Sequence, residues 1–323
     1  MKYLIYGGFG YGSLGDEMIL TAELDIFGRN NCTVVSYDPI ETSRMHEVES
    51  IRTDQIINYT NYDTLVIGGG GTIVPGSTVD LLKISKNAIS KGKRVEVFRV
   101  GIYGDDQITD YKAIMELYKS SNRFTVRCQV VKERMKKYCN VDVNIEECCA
   151  ALGKKSSKLV IDSIFDGLKV SRDKIIIGIH CKNVADVIQY YIPICEYLLS
   201  CSGFIELIAI NTCMHKIDKK DNDWAAIEAI NSQLKGGKIK NTSGPWSGML
   251  HPNEMKGVLA ELNLLIANRK HPSICAAAEG IPVIIIDNDG AIAEMAPEIK
   301  NIGIFEISKT KPIDVINLIR DTL

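Results

Sequence analysis

Short apolar runs alternate with longer amphipathic stretches along almost the whole chain. In the first half, strand candidates occupy residues 3–7, 32–37, 64–68, 94–100 and 123–128, and helix candidates occupy 16–28, 79–91, 109–120 and 129–138. Apolar strands that alternate with helices are typical of a parallel sheet covered by helices on both faces. The pattern therefore predicts a doubly wound α/β domain.

The same alternation resumes in the second half, without detectable sequence repetition. Strand candidates occupy residues 174–180, 205–210, 237–241, 263–267 and 282–287, and helix candidates occupy 184–200, 223–234, 253–261, 272–279, 290–298 and 312–322. A chain of 323 residues exceeds the roughly 250–300 residues at which one hydrophobic core stops growing. We predict two Rossmann-like doubly wound domains, residues 1–165 and 166–323, that face a cleft and are joined near 155–172.

Composition argues against several classes of function. A net charge of -2 gives no electrostatic footprint for nucleic acid. No apolar run is long enough for a signal peptide or a membrane span, so we expect a cytoplasmic protein; peripheral membrane association and homo-oligomerisation stay open. The ten cysteines lack CxxC spacing, which argues against a disulfide framework and a metal site.

A glycine-rich loop from Gly7 to Glu17 follows the first strand and opens the first helix. Ligands of doubly wound sheets bind beyond the carboxyl ends of the strands, and a helix N-terminus favours an anion there. Gly10, Gly12 and Gly15 also satisfy GxGxxG, and Asp38 ends the second strand, where a ribose ligand is expected. A dinucleotide-binding oxidoreductase is therefore an alternative.

Two carboxylates, Asp16 and Glu17, come directly behind the last glycine of this loop. They would repel a pyrophosphate, which weakens the dinucleotide hypothesis. A carboxylate in this place suits a general base or a hydrogen bond to an acceptor hydroxyl. Helix capping explains Asp16 as well as function does, and it is the favoured explanation of Glu17.

A second glycine-rich segment, Gly68–Gly71, follows the third predicted strand. One glycine usually suffices for a tight βα turn, and four exceed that need. The excess favours close approach of the backbone to a ligand or to the other domain.

Basic residues stand at several of the expected strand ends, namely Arg99, Arg127 and the pair Arg269 and His271. A planar guanidinium matches a carboxylate or phosphate, and histidine suits proton transfer near neutral pH. The sequence therefore predicts an anion site at these loops. His180 also ends a predicted strand, and we interpret it as a buried core histidine.

Four segments in order resemble one known family. They are GYGSLGDEMIL near the start, TLVIGGGGTI, the arginine after FTV, and IANRKHPSICAAAEGIPVIIIDND near the end. Together they spread from residue 10 to residue 289. In this set and order they resemble the polysaccharide pyruvyl transferase family.

The resemblance implies a glycosyltransferase-B-like fold of two Rossmann-like domains. It implies transfer of a pyruvyl group from phosphoenolpyruvate to two hydroxyls of a cell-surface polysaccharide or its lipid-linked precursor, which forms a ketal. Phosphoenolpyruvate is then a co-substrate, and neither a metal nor a redox cofactor is implied.

The resemblance also implies roles for individual residues. His271 would be the general acid that protonates the enol carbon or assists phosphate departure, and Asp16 would be the base or an acceptor contact. Carried over by position, Arg127 and Arg269 would bind the donor anion. Beyond the resemblance, we expect Lys270 and the backbone of Gly69, Gly70 and Gly71 to bind it as well. The acceptor would be contacted by Gly12, Ser13, Gly15 and Glu17.

Four positions depart from the family pattern. Ser13 stands where asparagine is common, Cys128 where aspartate follows the arginine, and Lys270 where an apolar residue is usual. Ala291 stands where a lysine commonly follows the last strand. A missing cation would cost roughly 1.5–3 kcal/mol of anion binding. An altered donor and a non-catalytic glycan- or anion-binding relative therefore stay open beside the transferase.

Overall fold

The computed structural model describes residues 1–55, 57–103, 109–218, 221–242, 249–288, 290, 292, 299 and 301–323. The chain divides into two compact units, Met1–Gly153 and Lys154–Leu323. The predicted boundary at residue 165 lies inside the helix Lys158–Gly167, which belongs to the second unit.

The first unit is a parallel sheet with helices in the connections. Its elements in chain order are β1 (Tyr3–Tyr6), α1 (Leu14–Phe27), β2 (Cys32–Ser36), α2 (Pro39–His46), β3 (Glu49–Arg52), β4 (Thr64–Ile67), β5 (Gly70–Ile73), α3 (Thr78–Ser90), β6 (Arg94–Ile102), α4 (Tyr111–Ser120), β7 (Arg123–Val126), α5 (Gln129–Cys139), β8 (Asn144–Ile145) and α6 (Cys149–Leu152). The strand order is β3-β2-β1-β4-β6-β7-β8, with β5 beside β6. The order reverses between β1 and β4, which is the switch point where such sheets bind ligands.

The second unit repeats this plan. Its elements are α7 (Lys158–Gly167), β9 (Ile175–His180), α8 (Ala185–Ser200), β10 (Ile205–Ala209), α9 (Asp223–Asn231), β11 (Lys240–Asn241), α10 (Pro252–Ala260), β12 (Leu264–Ala267), α11 (Lys270–Ala278), β13 (Val283–Asp287), β14 (Asn301–Glu306) and α12 (Pro312–Thr322). The parallel strand order is β11-β10-β9-β12-β13-β14. Its switch point therefore lies between β9 and β12.

The central strands are buried on both faces. Every residue of β2, β4, β12 and β13 is buried, as expected for strands that helices cover on both sides. In the second unit the core extends from β12 and β13 to α8, whose Tyr191 and Ile194 are completely buried. The predicted class, two Rossmann-like doubly wound domains, is confirmed for each unit.

Some elements differ from the predictions. The short α2 and β3 were missed, although Asp38 caps α2 and Pro39 occupies its first turn, a recognisable helix start. Helix α7 lies in the segment that was predicted to be a polar junction. Only two of its residues, Ile161 and Phe165, are buried, so its apolar face is too short to stand out in the sequence. The predicted helix at 290–298 lies almost entirely outside the described residues, as does Ala291.

Two further expectations concern membrane-spanning helices and the cysteines. Within the described ranges, no helix combines the length and apolarity that a membrane crossing requires. All ten cysteines are thiols, and Cys201 alone among them is partly exposed.

Candidate functional site

The first glycine loop packs tightly on the end of β2. Gly10 has a φ of 79°, and a Cβ at this position would collide with the Ser36 hydroxyl. The Phe9 carbonyl accepts a hydrogen bond from the Tyr37 N–H at 3.0 Å. The glycine at position 10 is therefore required by close packing within the protein as well as by its backbone conformation.

Glu17 fixes the position of this loop from inside the protein. Its side chain is almost fully buried; Oε1 accepts a hydrogen bond from Gly10 N–H at 2.8 Å, and Oε2 pairs with His46 Nε2 at 2.7 Å. Both carboxylate oxygens are thus used inside the protein. These contacts give Glu17 a structural task, and its contact with an acceptor stays a prediction.

The remaining loop residues form the entrance to α1. Gly12 is buried with a φ of 91°, and Gly15 is buried in the first turn of the helix. Ser13 is the N-cap residue, whose carbonyl accepts hydrogen bonds from Asp16 N–H and Glu17 N–H at 3.1 Å each. No side-chain hydrogen bond of Ser13 caps the helix.

Internal contacts account for the features that suggested a dinucleotide. Asp38 has a structural contact inside the protein. Its Oδ1 accepts a hydrogen bond from the Glu41 N–H at 3.1 Å and so caps α2. Together with the packing of Gly10, this contact explains the glycine pattern and the acidic residue without a bound dinucleotide.

A residue that the sequence analysis missed, Glu23, lies beneath the second glycine segment. It is completely buried in α1, and its Oε1 accepts the Gly69 N–H at 2.6 Å. A Cβ at Gly68 would lie 2.5 Å from Oε2, so Gly68 is needed for the two segments to meet. Oε2 has no hydrogen-bond partner among the described residues. Burial raises the pKa of Glu23 to about 8, against the lowering effect of the Gly69 hydrogen bond.

Asp16 meets the same glycine segment from the start of α1. A Cβ at Gly70, whose φ is 82°, would lie 2.8 Å from Asp16 Oδ1. A Cβ at Gly71 would collide with the ring of Tyr103. The structure therefore brings the predicted residues Asp16 and Gly70 together at the switch point of the first sheet.

Arg127 follows β7 and is buried, with only 2% of its surface exposed. Its guanidinium hydrogen-bonds to the Tyr103 hydroxyl and lies against Gly101, where a Cβ would come within 2.8 Å of Cζ. Burial raises the pKa of the neighbouring Cys148 thiol, against the lowering effect of the Arg127 charge. Arg127 thus supports the strand ends from inside, and its contact with the donor stays a prediction.

Arg99 was expected to end a strand, and this placement is wrong; its contact with an anion stays a prediction. It lies inside β6 with a φ of 53°, at an irregularity in the pairing with β7. Its Nε donates to Glu146 at 3.0 Å, and its Nη1 donates to the Glu147 carbonyl at 3.1 Å. The guanidinium is therefore neutralised within the first unit.

In the second unit, helix α11 begins with three basic residues. Arg269 is its N-cap, Lys270 and His271 occupy its first turn, and all three are half-buried. The helix was predicted to begin at residue 272, so Lys270 and His271 belong to the helix and not to the loop. The first turn contains no acidic residue. Positive side chains oppose the dipole of a helix N-terminus, so this arrangement favours a bound anion.

Two aspartates that the sequence analysis missed hold Arg269. Its Nε donates to Asp223 Oδ1 at 3.1 Å, and its Nη2 lies 3.0 Å from the same oxygen. Nη2 also pairs with Asp221 Oδ1. Asp223 is completely buried at the start of α9, and Asp221 is partly exposed.

His180 completes this cluster at the end of β9. It is completely buried, as predicted, and its Nε2 lies 3.0 Å from Asp223 Oδ2. Thr212 donates its N–H to the same carboxylate oxygen at 2.9 Å. Burial opposes ionisation of Asp223, but the charge of Arg269 and the contact with His180 outweigh it and lower the pKa of Asp223 to about 2.

The comparisons with known proteins agree with this architecture. The family model of polysaccharide pyruvyl transferases matches residues 14–290. No curated protein matches the sequence. A search of solved structures gives similar folds at low sequence identity.

Three of these solved structures illustrate the likeness. UDP-GlcNAc 2-epimerase from Neisseria meningitidis, bound to UDP-GlcNAc, has a TM-score of 0.64 and 11% identity over 99% of this chain and 92% of that one. Anabaena HepE, in complex with UDP-glucose, has a TM-score of 0.61 and 13% identity over 99% and 89%. ADP-heptose heptosyltransferase II from E. coli has a TM-score of 0.57 and 13% identity over 100% and 98%. These likenesses confirm the glycosyltransferase-B-like fold class.

Proposed function

Because this chain belongs to the polysaccharide pyruvyl transferase family, we propose that it transfers a pyruvyl group from phosphoenolpyruvate to two hydroxyls of a glycan. Family membership and fold together support the coarser statement, a glycan-modifying transferase. The donor and the ketal product belong to our proposal.

The start of α11 is the observation that carries the proposal. Arg269, Lys270 and His271 stand side by side at a helix N-terminus, at the carboxyl edge of the second sheet. The charge of Arg269 is balanced by Asp221 and Asp223, and Lys270 adds a further positive charge beside it. The backbone N–H groups and the dipole of a helix N-terminus favour an anion at this point. Phosphoenolpyruvate supplies both a phosphate and a carboxylate.

The proposed chemistry needs one proton at the donor and two deprotonated hydroxyls at the acceptor. Two acceptor oxygens form bonds to the central carbon of phosphoenolpyruvate, and its bond to the phosphate oxygen breaks. The terminal CH2 group gains one proton and becomes a methyl group, and the second proton leaves with phosphate. His271 is proposed to supply the proton as general acid, and Lys270 and Arg269 to hold the anion.

The first unit supplies the proposed acceptor residues. Asp16 is half-buried beside Gly70 and suits a base or a hydrogen-bond acceptor for a sugar hydroxyl. Glu17, Glu23 and Ser36 fix the glycine segments around it.

Phosphate release from phosphoenolpyruvate tests the proposal directly. We expect release that depends on an added glycan acceptor, together with a higher melting temperature in the presence of phosphoenolpyruvate. His271→Asn should abolish release and retain the thermal shift, because it removes the acid and keeps Arg269. The matched control is His251→Asn, which changes another histidine of the second unit at a helix N-cap where asparagine also serves.

The contrary outcomes are distinct. A melting temperature that rises with NAD and not with phosphoenolpyruvate would favour the dinucleotide-binding oxidoreductase over the transferase. Stabilisation by phosphoenolpyruvate without phosphate release from any tested glycan would favour the non-catalytic relative.

A further inference from the structure

We propose that Asp223 is the positioning residue that aims Arg269 at the donor anion. The inference rests on the proposed function, since it concerns the same arginine. It goes beyond that function because it assigns a direction to the guanidinium and a task to a buried carboxylate that no family motif described above contains.

The guanidinium of Arg269 is occupied along one edge. Its Nε and Nη2 both face Asp223 Oδ1, and Nη2 also pairs with Asp221. The third nitrogen, Nη1, has no hydrogen-bond partner in the part of the chain that the structure describes. The Arg269 side chain is 20% exposed to solvent. A donor anion therefore binds Arg269 through Nη1. The bidentate contact through two nitrogens, which arginine often makes with a carboxylate or phosphate, is already made to Asp223.

Asp223 is itself immobilised by the strand ends around it. Its Oδ2 accepts the Thr212 N–H at 2.9 Å, lies 3.3 Å from the Thr212 hydroxyl and lies 3.0 Å from His180 Nε2. Its Oδ1 faces Arg269. The two oxygens of one completely buried carboxylate thus connect the ends of β9 and β10 to the residue that begins α11.

Electrostatics and orientation make opposite predictions for this residue. The two carboxylates carry one more charge than the guanidinium, so by charge alone they oppose the binding of an anion at Arg269. If Asp223 contributed only its charge, its removal would strengthen binding. If it fixes the direction of Nη1, its removal weakens binding even though the site becomes more positive.

The test compares Asp223→Asn with Asp221→Asn by isothermal titration with phosphoenolpyruvate. We expect Asp223→Asn to raise Kd about tenfold or more, the loss from one misdirected charge-assisted hydrogen bond. Asp221→Asn is the matched control, because it removes an equal charge from the same guanidinium and leaves Asp223 in place. Its Kd should stay equal or fall.

A second readout does not depend on the ligand. The Nε–H resonance of Arg269, assigned by its loss in Arg269→Lys, should exchange slowly with water in the wild type and fast in Asp223→Asn. If Asp223→Asn does not fold, Thr212→Val weakens the support of the same carboxylate, and we expect a smaller rise in Kd of about threefold.

The outcomes separate this inference from the proposed function. Equal or tighter binding of phosphoenolpyruvate to Asp223→Asn overturns the positioning role and leaves the donor assignment intact. No binding to the wild type overturns the proposed donor, whereas the Nε–H exchange still reports whether Asp223 orients Arg269. An unchanged exchange rate in Asp223→Asn refutes that orientation.

Discussion

The substitution Glu23→Gln should change how the stability of the first unit depends on pH. The pKa of Glu23 is raised from 4.5 to about 8 by burial. Between these two values the unfolded chain releases a proton that the folded chain retains, so the free energy of unfolding falls as pH rises. The contribution is fully present below pH 4.5 and is lost as pH rises through 8. For this one group the loss amounts to about 3–4 kcal/mol between pH 5 and pH 8.

Glutamine has nearly the same shape and cannot ionise. Its Oε1 can still accept the Gly69 N–H, so the hydrogen bond that positions the glycine segment is kept. The amide that replaces Oε2 adds a desolvation cost that is equal at both pH values. The informative quantity is therefore the difference in stability between pH 5 and pH 8, which should be smaller in Glu23→Gln.

Hydrogen exchange measured by mass spectrometry is the suitable assay. Both tryptophans, Trp224 and Trp246, belong to the second unit, so fluorescence would not report on Glu23. Peptides that cover β1 and β4 report the opening free energy of the first unit after correction for intrinsic exchange. Glu133→Gln on the exposed face of α5 is the matched control and should leave the pH dependence unchanged. Identical pH dependence in Glu23→Gln and the wild type would refute the reasoning.

Three further predictions concern packing and the glycine loops. Gly68→Ala should destabilise the first unit by about 1–3 kcal/mol in urea, because its Cβ would meet Glu23; Gly167→Ala, with open space around it, should cost nothing. In the native protein, only one thiol, that of Cys201, should react rapidly with DTNB, and Cys201→Ser should abolish this fast phase. Glu17→Ala should cost about 2–4 kcal/mol and make the glycine loop sensitive to proteases, because Gly10 loses its buried acceptor; uncut protein would contradict this role.

Local periodicity predicted the long elements well. Strands such as β2 and β13 are continuous apolar runs, and helix α12 was predicted with the bounds that the structure has. The short α2 and β3 have no apolar face to detect. Arg99 was misplaced because β6 continues past it through a left-handed residue, which is unusual for arginine.

The candidate site was only partly predictable. Glycine segments and basic residues at strand ends are visible in sequence because each is unusual by itself. Glu23 gave no signal, because it resembles any polar residue in an amphipathic stretch. The pairing of Arg269 with Asp223 joins residues 46 positions apart, and no local pattern records such a contact.

The strand order has a consequence for how the chain folds while it is being synthesised. In each sheet the first strand to emerge, β1 or β9, ends up in the middle. β2 and β3 add to one side of β1, and β4, β6, β7 and β8 then add successively to the other. β10 and β11, followed by β12, β13 and β14, do the same around β9. Along these two orders, every new strand therefore joins an edge that already exists, and no pair has to reopen to admit a later one. Each sheet can grow outward from its centre as the ribosome advances, and the first unit can be complete before the second begins.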